Sequence, residues 1–266
     1  MLYNCVAATS YGMNHRTQKQ IIIALSTLIL VSSLAWGVYT IWPSKIDLPK
    51  DELRDDVFKS ENIEVIFNDF FEVRDRVYDA LAYIKNPNQE YGASEIIYEF
   101  VFKSETGEGL RRVSGKTFVL PGEDRYIIES AVRIEGEPVN VSFSIKSATW
   151  EKLQPFSALG LTLRDTRLSR TENSSSFTGI VKNGTPFNLQ DVEVQVALFG
   201  ANEAVVSVGE TNLQTLLRGS ERSFRISWPY VLPPDLKIDA RVGSNFLENS
   251  NFIREFGTPD KFQEYY

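Results

Sequence analysis

The side chains in this chain that could do chemistry are carboxylates and arginines, because it contains one histidine, His15, and one cysteine, Cys5. Both precede residue 20, so everything beyond lacks the imidazole and thiol needed for a Ser-His-Asp triad, a Cys-His dyad or a His/Cys zinc site. Disulfide bridging is excluded by the same count. What remains is a pair of carboxylates meeting across a cleft, the arrangement of glycoside hydrolysis, and no Asp or Glu pair stands in an apolar context that singles it out. Asp55-Asp56 and Glu123-Asp124 read as solvated turns without the spacing of a calcium loop. Gly107-Glu108-Gly109 lacks the spacing and the following helix of a phosphate loop, and Arg111-Arg112 reads as a solvated strand end. The expectation is a protein that is not an enzyme, with no catalytic residue, no metal and no cofactor. The alternative is a surface carbohydrate-binding module or a carboxylate-based hydrolase.

The element that positions everything else is the stretch 21–42, IIIALSTLILVSSLAWGVYTIW, which contains no charged residue. Twenty-two residues at about 1.5 Å each give a helix of roughly 33 Å, enough for a hydrocarbon core of about 30 Å. Trp36, Tyr39 and Trp42 gather at its C-terminal end, where amphipathic rings settle at the lipid headgroups. Arg16 and Lys19 precede it in a segment without Asp or Glu, whereas the basic residues beyond it are mixed with acids. The expected topology is a single-pass helix in the plasma membrane, with 1–20 cytoplasmic and the larger part extracytoplasmic. Ser33-Leu34-Ala35 spells a cleavage site, but the apolar run exceeds the 7 to 15 residues or so of a signal sequence. Ser33 and Gly37 form one small-residue pair of the kind that lets two helices approach, so a homo-oligomer stays open.

Net charge is −7, from 28 basic and 35 acidic residues. Residues 1–50 hold Arg16, Lys19, Lys45 and Lys50 against Asp47 alone, so the negative excess lies beyond them. That balance disfavours nucleic acid as a partner. Residues 43–60, with Pro43, Pro49 and dense charge, read as a stalk.

From residue 61 the pattern becomes short alternating runs separated by turn residues, which predicts all-β sandwiches over 61–152 and 156–245. Tyr78, Ala80, Ala82 and Ile84 share one strand face, as do Ile96, Tyr98, Phe100 and Phe102. IEVIF at 63–67 and FFEV at 70–73 read as two short strands. The second half repeats the first at an offset of 97, with Lys85-Asn86 on Lys182-Asn183 and Asp124-Arg125 on Glu221-Arg222. One strand, holding Val192, Val194, Val196 and Leu198, fits only at 96, because a one-residue slip would turn its apolar face outward. Asn86 and Asn183 read as turn caps, and Gly184 as a residue of positive φ. Asn140, Asn173 and Asn183 head glycosylation sequons by spelling.

The stretch 177–226 resembles the FxLYD type of bacterial extracytoplasmic β-sandwich, on Gly179, Val181, Asn183, the alternating Val192, Val194, Val196 and Leu198, then Phe199 and the late Gly219. Phe199-Gly200 stands where that family has Tyr-Asp. The resemblance, looser over 76–130, implies an immunoglobulin-like fold, an adhesive or scaffolding role in the bacterial envelope, and no catalytic residues. Together these readings predict a single transmembrane helix followed by two tandem immunoglobulin-like sandwiches that bind or assemble an envelope protein.

The tail, 246–266, is rich in aromatics after the second sandwich should have closed. Phe246, Phe252, Ile253, Phe256, Phe262, Tyr265 and Tyr266 either fold back onto that sandwich or anchor a partner, since aromatic residues are favoured interface anchors.

Overall fold

The computed structural model describes residues 15–41, 61–153, 160–256 and 261–266. The chain divides into two compact units, Met1–Val57 and Phe58–Tyr266.

In the first unit, helix α1 runs His15–Ile41. Ile21, Ile23, Leu25, Leu28, Ile29, Leu30 and Val31 are all exposed on it. At 100° per residue these positions circle the helix, and a helix that is apolar all round has no polar face to turn to water. Ser26, Thr27, Ser32 and Ser33 donate their hydroxyls to carbonyls three or four residues earlier, so none of these hydroxyls needs an outside acceptor. Among the described residues, no helix carries an apolar run long enough to cross a membrane. The side chains of Trp36 and Tyr39, the whole of Trp42 and the stalk at 43–60 lie outside the described residues.

The second unit is all-β sandwich. Six strands come first: β1 Glu64–Arg74, β2 Val77–Lys85, β3 Tyr91–Lys103, β4 Gly109–Val119, β5 Asp124–Arg133 and β6 Asn140–Lys152. Six more follow: β7 Leu161–Arg170, β8 Ser175–Asn183, β9 Leu189–Phe199, β10 Val205–Leu216, β11 Glu221–Trp228 and β12 Lys237–Gly243. The chain then makes a 3-10 turn at Phe246–Glu248, helix α2 at Ser250–Phe256 and strand β13 at Lys261–Tyr265. The sheets are β1-β2-β5 facing β13-β6-β3-β4, and β11-β8-β7 facing β10-β9-β12. Apart from β13, the two halves have the same strand order.

The register carries the repeat residue by residue. Lys85 pairs with Asp124 as Lys182 pairs with Glu221, an offset of 97 on both strands. Phe100 pairs with Phe143 as Val196 pairs with Ala240, an offset of 96 on the first strand and 97 on the second. That one-residue difference keeps Val192, Val194, Val196 and Leu198 buried, in the places held by Ile96, Tyr98, Phe100 and Phe102. The runs at 63–67 and 70–73 merge into one strand, β1, from Glu64 on, with register shifts between Val65 and Phe67 and between Glu72 and Arg74.

Asn86 and Asn183 occupy matching corners, both fully buried. Asn86 Nδ2 donates to the carbonyls of Tyr91 (2.7 Å) and Leu120 (2.9 Å), while its Oδ1 accepts the Asn88 N–H. Asn183 Nδ2 donates to Phe187 O (2.8 Å) and Leu216 O (3.0 Å), and its Oδ1 accepts from Thr185 N and Oγ1. Each amide ties a turn to the strand end beside it, and a buried Asn183 cannot carry a glycan in this fold. Gly184 is not at positive φ. Its lack of a side chain serves a close approach instead: a Cβ there would stand 2.8 Å from Gly160 O, which accepts the Gly184 N–H.

Candidate functional site: the seam and the C-terminal strand

The two sandwiches are joined face to face. The outer face of β1-β2-β5 packs on that of β10-β9-β12, with Leu81, Tyr126 and Ile128 against Ala197, Val205 and Val208, and Phe67, Phe71, Tyr83 and Phe199 around them. This contact explains why β2 is buried along almost its whole length rather than on alternate residues.

Arg241 on β12 completes the seam. It donates to Asp124 Oδ1 (2.5 Å), Tyr83 Oη (3.0 Å) and Asp239 Oδ2 (3.1 Å), and its guanidinium lies 4.9 Å from the Tyr83 ring centre and 5.2 Å from that of Tyr126. Tyr126 Oη donates to Asp239 Oδ2 at 2.9 Å, and Tyr83 Oη to Asp124. Burial pushes the Tyr83 phenol up to about 12, reinforced by its bond to Asp124. Burial works against Asp124, yet the Tyr83 hydroxyl and Arg241 together hold its carboxyl below the ordinary aspartate range. A second bridge, Arg125 to Glu193, crosses the seam, and the Arg125 guanidinium sits 3.8 Å over the Phe118 ring.

Four other carboxyls behave in the opposite way. Burial raises Asp79, against the bond it accepts from Ala131 N–H, and raises Glu129, against the bond from Tyr98. Burial also raises Glu123 and Glu210. A carboxyl with its folded pKa above its unfolded value takes up a proton on folding in the window between the two, so stability grows as pH falls through that window. We therefore expect the melting temperature to rise as pH is lowered from neutrality toward the ordinary carboxylate range of about 4, and to fall again once Asp124 protonates below that range. Thermal scans across this range check it, and Asp79→Asn with Glu129→Gln should flatten the rise.

The tail divides its aromatics between two tasks. Ser244 Oγ donates to Asp191 O and Asn245 Nδ2 to Ser94 O, bringing the chain across the seam. Phe246, Leu247 and Phe252 then enter the core of the second sandwich together with Phe118, Leu120 and Leu153 from the first. Phe252 packs edge-on against Phe187 (5.5 Å) and Phe246 (6.1 Å). Asn249 Oδ1 accepts the N–H groups of Asn251 and Phe252 and so caps α2. Phe246 and Phe252 are thus core residues rather than partner anchors: the 3-10 turn and α2 aim them inward, and they are 0% and 4% exposed. Ile253 is half-buried, and the side chains of Phe256 and Phe262 lie outside the described residues.

Beyond α2 the chain returns to the first sandwich. β13 pairs antiparallel with the end of β6, Phe262 opposite Trp150 and Tyr265 opposite Ser147. Trp150 Nε1 donates to Glu264 Oε2 at 3.1 Å, and Tyr266 N donates to Lys146 O. Tyr265 is 76% exposed and Tyr266 43%. β13 lies at one end of its sheet, and among the described residues nothing pairs with its outer edge.

Sequence reasoning did not find Arg241, Tyr83 or Asp239. The available signal was apolar residues on both faces of β2, β5 and β9, which marks strands covered on two sides. Among the described residues no group of three or more His, Cys, Asp or Glu is placed to hold a metal.

Fold and site together define a duplicated β-sandwich with a strand returned from its C-terminal segment. No family model and no curated protein matches the chain. Solved structures similar to it include red sea bream transglutaminase, at 9% identity and TM-score 0.23 over 70% of this chain and 29% of that one. Bacteroides uniformis β-glucuronidase is similar at 12% identity and TM-score 0.25, over 77% of this chain and 32% of that one. The chain spans about a third or less of the length of either, and similarity this low places no constraint on activity.

Proposed function

We propose that this protein is a membrane-tethered extracytoplasmic scaffold that binds another envelope protein through the edge of its C-terminal strand. The observation that carries this reading is β13: a strand with an unpaired outer edge and exposed tyrosines offers main-chain pairing for affinity and aromatic contacts for selectivity. The strand order supports an immunoglobulin-like sandwich, with β13 in the place of the last strand of the four-stranded sheet. The resemblance of 177–226 to FxLYD domains supports an envelope setting. Membrane attachment through 21–42 rests on the uncharged apolar run and on a helix exposing apolar side chains all round.

The test is capture of the full chain from its native membrane in mild detergent, beside a Tyr265→Lys, Tyr266→Lys variant. Exposed substitutions away from special features shift stability by about 0.5 kcal/mol or less, and a melting curve of the variant is the control that it remains folded. A protein recovered with the natural chain and lost with the folded variant is the expected outcome. Equal recovery with both would remove the edge from consideration.

A further inference from the structure

Two broad sheet faces of the second unit are open, and they differ in how their charges are matched. On the face of β13-β6-β3-β4, Glu99 is bridged by Arg112 (3.2 Å) and Lys146 (2.9 Å), and Glu95 by Lys116 (2.8 Å). The face of β11-β8-β7 is matched at one end, where Arg164 bridges Glu221, and not in the row that follows. Its equivalent in the first sandwich, β1-β2-β5, lies under the seam, whereas here the side chains meet solvent. Arg167 of β7 and Arg225 of β11 both stand opposite Thr178 of β8. Side chains in one row across a sheet point the same way, and two strand spacings separate the outer pair by about 10 Å of backbone. Both arginines are exposed, and among the described residues neither has an ion-pair partner, while neighbouring Arg164 is bridged to Glu221. The next row is Ser169, Ser176 and Ser227. In these two rows the middle strand presents the short hydroxylated side chains of Thr178, which donates to Arg167 O, and Ser176, with a guanidinium on either side of Thr178 and Ile180 next along the strand.

We infer that this face binds a linear carboxylated polysaccharide, a uronate polymer, lying along β8. The charge argument is local: on a chain of net charge −7, unmatched arginines here favour an anion. A guanidinium fork fits a carboxylate in paired hydrogen bonds, and serine and threonine hydroxyls can exchange hydrogen bonds with sugar hydroxyls. The rows name no aromatic residue, so there is no platform on which nucleic-acid bases could stack.

The test is titration of the full chain in detergent with polygalacturonate, with neutral dextran, inorganic polyphosphate and single-stranded DNA as comparisons. The expected result is binding to polygalacturonate that weakens with salt, and that falls about tenfold or more in Arg167→Ala, Arg225→Ala, in line with the loss of two charge-assisted contacts. The melting temperature of this variant should be unchanged, and Arg112→Ala on the other face should bind as the natural chain does. Failure of the natural chain to bind polygalacturonate overturns the inference, as does tighter binding of polyphosphate or DNA, or undiminished binding by the double variant. The outcome is independent of partner capture through β13, which uses a different sheet.

Discussion

Phe246→Ala should lower stability by about 3–5 kcal/mol, the usual loss for a fully buried phenylalanine, and removal of 246–266 should leave a chain that does not fold cooperatively. Phe246 is 0% exposed in a cluster that draws residues from both sandwiches. Its loss opens a cavity where three segments meet: the end of β4, the stretch after β6 and the turn after β12. Leu247 and Phe252 would go with it in the deletion, together with the strand that covers the end of β6. Set against a total stability of about 5–15 kcal/mol, losing three such side chains exhausts the margin. For a unit of this size the single substitution corresponds to a fall in Tm on the order of 10 °C, which differential scanning calorimetry measures directly. A deletion variant that melted cooperatively at the natural temperature would show the tail to be an appendage.

Asn183→Ala should cost about 3 kcal/mol, since it takes the amide donor from the carbonyls of Leu216 and Phe187, the latter keeping the Thr185 hydroxyl, and the acceptor from the Thr185 N–H, at about 1–3 kcal/mol for a buried group left unsatisfied. The same change at Asn86 should cost nearly as much, because the two amides hold equivalent groups at equivalent corners. Asn183→Asp should be worse than Asn183→Ala. It replaces the donating amide with an acceptor facing the carbonyls of Phe187 and Leu216, and it buries a charge. Urea unfolding midpoints for the three variants give the order. If Asp proved milder than Ala, the amide would not be acting as a donor, and the corner would be held by Thr185 and the backbone alone.

Much of the second unit could be read from alternation. The inward sets on β2, β3 and β9 are visible because each strand shows a two-residue apolar period, and parity alone distinguishes an offset of 96 from 97 at Val192 to Leu198. The corner asparagines are legible for a local reason: an amide beside a turn has backbone groups within reach whatever the rest of the chain does. What could not be read is what depends on two distant segments meeting. Arg241 and Asp124 are 117 residues apart, and nothing near either announces the other. Gly184 was misread because sequence reports that a side chain is missing without saying whether dihedral freedom or room for Gly160 requires it. The tail aromatics were visible as a group, but their division between core and surface is set by the 3-10 turn and α2, which reverse the chain within a few residues.

The return of the C-terminal strand to the sandwich that opens the unit has a mechanical consequence. β1 and β13 both belong to the first sandwich, so tension between residue 64 and residue 265 is carried by β1, by the short ladder of β13 on β6, and by the Asn68 amide that joins β1 to Val141 O of β6. The second sandwich, strands β7 to β12, lies in a loop outside that load path. It stays slack until β13 peels from β6, and only then does force enter the Phe246 and Phe252 anchors.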